Sequence, residues 1–112
     1  MQRDMMFTSH HDAPVVFPDS IRVLSATVNR TMRTGYVLGP QHRVESIVAL
    51  KALTIWAAYQ YFEAQTKGSI EVGKLADLVI LSDNPLTIAH AKLNDLKVLE
   101  TIKEGKTIFK AQ

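Results

Sequence analysis

From Val44 to Ala64 apolar side chains recur every three or four residues, as Val44, Ile47, Val48, Leu50, Leu53, Ala57, Ala58 and Tyr61. That spacing matches the turn of an α-helix and is the strongest regular signal in the chain. It commits the stretch to a helix with one broad apolar face, on which Trp56 and the aromatics from Tyr59 to Phe62 are expected to serve as core. Thr54 can restart a helix as a cap, so a kink or a pair of helices is expected there. Gly68 follows, where a helix end favours a left-handed residue.

On either side the texture differs. Asp19 or Ser20 can cap an earlier helix, whose face would be Ile21, Leu24, Val28 and Met32. Met5 to Ser9 reads as a short strand ending at His10, His11 and Asp12, and Pro14 and Pro18 make the next segment an extended loop. The stretch TGYVLGPQHR is a loop between helices. After Gly68, SIEV reads as a short strand, Gly73 as a turn, and Ala76 to Leu81 as a longer strand rich in branched residues. Asp83, Asn84 and Pro85 favour a turn, and Leu86 to Leu93 a loop with a short helical turn. The last element is a hairpin in which Val98, Glu100 and Ile102 face Thr107 and Phe109 around Glu104-Gly105.

The bulk numbers exclude several classes of function. At 112 residues the chain is one domain's worth and long enough for a core of its own. It has no cysteine, which removes disulfides, thiolate metal sites and a cysteine nucleophile. Thirteen basic and 11 acidic residues are spread along the chain, and no basic run interleaves with aromatics, so no nucleic-acid partner is expected. No apolar run approaches the ~20 residues that span a bilayer, and the N-terminus has no signal-peptide core, so neither a membrane partner nor secretion is expected. A soluble, cytoplasmic domain is the expectation.

Histidine and carboxylate are common ligands of catalytic metals. On a strand, His10 and Asp12 would share one face while His11 turned to the other, so at most two of the three reach one ion. His42 and His90 stand alone in loops. Two readings stay open at this level: a corner of a metal site, or polar side chains that satisfy backbone groups at a strand end. No G-x-S-x-G elbow and no phosphate-binding glycine loop is present.

The block KGSIEVGKLADLVILSDNPL, preceded by ALKALTIWAAYQYF, resembles the C-terminal signature of the amidohydrolase superfamily of metal-dependent hydrolases. The blocks HHDAPVVFPD, RTGYVLGPQHRV and NPLTI, followed by VLETIKEGK, resemble more narrowly the amidohydrolase 3 branch, which includes formamide deformylase-like enzymes. The resemblance runs from about Phe7 to Lys110.

It implies an α+β fragment: the last strand and final helices of a (β/α)8 barrel, followed by the C-terminal strands of a small β-sandwich. Residues 1–66 would be the barrel end and 67–112 the sandwich part, with two hairpin-like strand pairs. Asp12 matches the family's aspartate at the end of the eighth strand, which implies the role of metal ligand and general base. His10 and His11 would line the site. The implied cofactor is a divalent metal, zinc by family habit, in the complete enzyme. The family's H-x-H pair and its other ligands have no counterpart here, so the chain by itself is expected to hold no tight metal and to be inactive. The partner expected is a second copy, bound through exposed apolar surface, or the missing barrel portion. Two other readings are a stand-alone, non-catalytic oligomerisation or binding module and one half of a split hydrolase.

Overall fold

The computed structural model describes residues 5–13 and 18–112, so most of the extended loop expected around Pro14 and Pro18 lies outside the described residues. Three helices, α1 (Ser20–Asn29), α2 (Ser46–Leu53) and α3 (Ile55–Gln60), precede three strands, β1 (Leu78–Leu81), β2 (Val98–Lys103) and β3 (Lys106–Lys110). Short 3-10 turns lie at Pro40–His42 and His90–Asp95. The chain is thus a small α+β unit with one antiparallel sheet, in the order β1-β2-β3.

Asp19 is the residue that starts α1. Its Oδ1 accepts from the Ile21 and Arg22 amides at 3.0 and 3.3 Å, satisfying donors that a first helical turn leaves open. Asp19→Ala is expected to cost about 1 kcal/mol in a urea denaturation. A loss indistinguishable from zero would show that the cap is not needed. The helix stops at Asn29, short of the expected Met32, because Arg30 adopts a left-handed conformation (φ 55) and donates its N–H back to Ala26. Thr31 then bridges Val37, and the Met32 amide donates to Tyr36.

The long apolar stretch is broken at Thr54 as expected, although its side chain does not cap the helix that follows. Thr54 has non-helical angles (φ −124, ψ −95), and its hydroxyl donates to the Leu50 carbonyl, closing α2 as α3 begins. The side chains buried along α2 and α3 are small: Ala49, Ala52 and Ala58 are buried, while Ile47 is exposed. The aromatics expected as core are not. Tyr59 and Tyr61 are exposed, and Phe62 is 96% exposed with φ 62. The helix ends at Gln60, so Tyr61 and Phe62 fall outside the 3.6-residue period that would point them inward, while Tyr59, still within α3, lies on its exposed face. Trp56 is half-buried and packs edge-on against Phe7, with centroids 5.5 Å apart.

The core joins distant parts of the chain. Leu24 and Val28 of α1 and Ala49 of α2 pack with Leu93 and Leu96, from the turn between β1 and β2. Val44, Leu53, Leu81 and Ile88 close its margin.

The short strand expected over SIEV is not formed, and with it goes the first of the two expected strand pairs. Gly68 has φ 97, Lys74 donates its amide to Glu71, and Leu75 donates to Thr66, so the segment is a sequence of turns. Met5 to Ser9, expected as a strand, likewise forms no ladder among the described residues. The C-terminal hairpin is formed with the expected turn: Glu104 and Gly105 both have positive φ (50 and 80), which matches the right-handed twist of the flanking strands. Thr107 stands opposite Ile102 as expected, but a register shift places Phe109 opposite Thr101. No helix among the described residues is long and apolar enough to cross a membrane.

Candidate functional site

The segment that carries His10, His11 and Asp12 is held from two sides. Phe7 rests on Trp56 of α3, and the Ser9 hydroxyl lies 3.2 Å from that of Thr27 on α1. Phe7, Ser9, His10 and His11 form one wall of an open cavity of about 780 Å³ whose other walls are α1 and the loop leading to α2. His10 and His11 both line it, although strict alternation would have parted them. Without a ladder, nothing imposes that alternation. His11 is half-buried, and its Nε2 finds no hydrogen-bond partner among the described residues.

Asp12 lies just past that wall. It is exposed, it does not line the cavity, and it has φ 56. A left-handed conformation costs a residue with a Cβ about 1–2 kcal/mol, and aspartate tolerates it better than most because its short side chain bonds locally. Among the described residues no hydrogen bond or ion pair reaches its carboxylate, and no three His, Cys, Asp or Glu side chains gather as a metal-binding group. The described residues therefore do not build a metal centre by themselves. Asp12 offers one carboxylate.

The two remaining histidines stand apart from Asp12. His42 lies at the end of the Pro40–His42 turn and lines the same cavity from the opposite side. His90 sits behind α1, where its carbonyl accepts from Asn29 Nδ2 at 2.7 Å and its Nε2 lies 4.0 Å from Glu45.

The glycine-rich block after α3 proves to be structural. Lys74 Nζ donates to Ser69 Oγ at 2.7 Å and pairs with Glu71 at 2.9 Å, and Ser69 also bonds to Glu71. The Ser69 hydroxyl first, and Lys74 second, hold the Glu71 carboxyl below its usual range. Nearby, the hydrogen bond from Lys67 to Glu63, an ion pair at 3.0 Å, raises the lysine. Asp77, which no motif in the sequence marks out, accepts from the Glu104 amide at 2.9 Å, while the Ala76 carbonyl accepts from Gly105 at 3.0 Å. That pair of bonds ties the hairpin turn to the start of β1. An aspartate just before a strand was the available signal, but its partner is 27 residues away.

Residues 1–109 match the model of the Amidohydrolase family. An N-substituted formamide deformylase from Arthrobacter pascens is 34% identical over 83 residues, which are 74% of this chain and 15% of that protein. The crystal structure of an amidohydrolase from Thermotoga maritima MSB8 shares the fold, with a TM-score of 0.62 and 24% identity, over 89% of this chain and 22% of that one. The chain therefore spans less than a quarter of the length of either. The family match takes in the HHDAP segment, the helices, the turn-rich glycine block and all but the end of the final hairpin: the chain belongs to the amidohydrolase family.

Proposed function

We propose that the chain is the C-terminal part of a metal-dependent hydrolase that cleaves non-peptide C–N bonds of the amide type, with Asp12 at its reacting centre. The observation that carries this reading is the conformation of Asp12. An exposed carboxylate is held at φ 56, next to a cavity wall made by the two preceding residues, in a family of hydrolases. Unfavourable backbone conformations persist where surrounding structure imposes them, and they cluster at functional sites.

In the complete site Asp12 would supply one ligand to a divalent ion, zinc in our reading, and its carboxylate would accept a proton from water. The chemistry the ion supplies when bound is activation of that water. The other ligands come from beyond these residues. In this reading the segment before Asp12 is the last barrel strand and the sheet belongs to a β-sandwich. The likeness to the deformylase supports an amide of the N-substituted formamide kind as substrate. Exposed apolar side chains, among them Ile70, Val72 and Phe62, give further protein a surface to cover, whether the rest of the barrel or a second copy.

Asp12→Asn is the decisive substitution, because asparagine tolerates the left-handed region as aspartate does and only the charge is lost. In the intact protein it is expected to lower kcat on an N-substituted formamide about 10²–10⁴-fold. It is also expected to lower the metal content measured by elemental analysis. Unchanged turnover and metal content would remove Asp12 from the centre.

A non-catalytic module is the second reading. It draws on the core shared by α1, α2 and the Leu93–Leu96 turn, which the chain builds from its own residues. An intact protein without turnover or metal would favour it.

A further inference from the structure

The basic residues divide sharply along the chain. All five arginines precede Val44, and all eight lysines follow Leu50. Four of the five, Arg22, Arg30, Arg33 and Arg43, line the cavity beside His10 and His42, and among the described residues no aspartate or glutamate lines it. The acidic residues nearest these arginines in sequence, Asp19 and Glu45, stay outside, as does Asp12 next to His11, and Asp19 is occupied by its helix cap. None of the four guanidinium groups forms an ion pair among the described residues.

Two of these side chains are fixed in place by the backbone. Arg30 Nε donates to the Leu38 carbonyl at 2.7 Å, and Arg43 Nε donates to the Asn29 carbonyl at 2.9 Å. Each bond uses one N–H of a guanidinium that has five, so the terminal nitrogens keep their donors. Arg30 and His42 also converge. A Cβ placed on Gly39 would meet the His42 ring at 3.2 Å and Arg30 Nη2 at 3.5 Å, so the glycine leaves room for both. Arg22, Arg33 and Arg43 also line a second depression, shared with Ala91 and Asn94 of the His90–Asp95 turn, so the positive surface continues past the cavity.

Like charges collected in one concavity repel one another and focus a positive field there. Guanidinium groups fit oxyanions by paired, parallel hydrogen bonds, which an ammonium cannot provide. We propose that this cavity binds a small oxyanion ligand, one bearing phosphate or carboxylate groups, with Arg30 and Arg43 as pre-set donors and Arg22 and Arg33 closing on it. The binding surface is argued from the arginines alone and not from Asp12, which stands beyond the cavity wall and does not line it.

The test is calorimetric titration of the intact protein with inorganic phosphate and, separately, with citrate, at fixed ionic strength. Saturable one-site binding of either anion is expected, and whichever binds more tightly identifies the source of the oxyanion. Arg33→Gln is expected to weaken binding at least tenfold, and so is Arg22→Gln. Neither side chain makes a hydrogen bond among the described residues, so both variants leave the fold unburdened. Lys106→Gln, on the distant hairpin, is expected to change nothing. Absence of saturable binding by both anions would overturn the proposal, as would equal weakening by Lys106→Gln and Arg33→Gln. Because the readout is binding, a failure here leaves the role of Asp12 standing, and the reverse also holds.

Discussion

Gly68→Ala is expected to destabilise the protein by about 3 kcal/mol, measured as a fall in the urea midpoint at unchanged slope. Two independent causes add. The residue has φ 97, where any side chain is strained, and a Cβ there would stand 2.8 Å from that of Ala58 and 2.9 Å from the Ile55 Cα. The second contact is with backbone, so no rotamer change relieves it and α3 itself must move. Gly73 separates the two causes. Its φ is 91, but nothing lies within 4 Å of the added carbon, so Gly73→Ala is expected to show the conformational cost alone, about 1 kcal/mol. Equal effects at the two positions would show that the close approach of Gly68 to α3 does not matter.

Leu93→Ala is expected to cost about 2–5 kcal/mol, through lost burial and the cavity left behind. Leu93 is 0% exposed and touches a core drawn from α1 and α2, whose residues come from elements that cannot collapse freely toward the gap. Ile70→Ala is the control: that side chain is 89% exposed, and its truncation is expected to change stability by less than about 0.5 kcal/mol. A loss below 1 kcal/mol for Leu93→Ala would place the core elsewhere.

Local signals in the sequence carried much of the fold. The capping aspartate before α1, the break at Thr54, the Asp83-Asn84-Pro85 turn and the Glu104-Gly105 hairpin each depend on a few adjacent residues, and each was readable. Asn84 illustrates why: its Oδ1 accepts from the Leu86 amide at 2.9 Å, a bond the residue makes with its own turn. What could not be read depends on contacts across the chain. The buried face of α2 is set by small residues, Ala49 and Ala52, that let neighbours approach, whereas the periodicity weighted the larger Ile47 and Tyr61. SIEV has strand-like composition, yet the Ser69–Glu71–Lys74 bonds and the positive φ of Gly68 fold it into turns. At the site, the motif singled out Asp12 and its neighbours, but the left-handed backbone at Asp12 and the grouping of arginines around His10 and His42 come from the loops in space.

The turn that carries Leu93 and Leu96 is also the connection between two paired strands, β1 ending at Leu81 and β2 beginning at Val98. The helices are therefore plugged by the link between the strands, with the Ser82 amide bonded to the Lys97 carbonyl at 2.9 Å and the Lys97 amide to Ser82 Oγ at 2.9 Å at its neck. Pulling β1 from β2 opens that neck and withdraws both leucines from the helices. Loosening the helices, in turn, frees the link, and the strand pair then closes a loop that nothing else holds, at an entropic cost. Sheet and helices are thus coupled as one cooperative unit, and the shortest route from one half to the other runs through a six-residue turn.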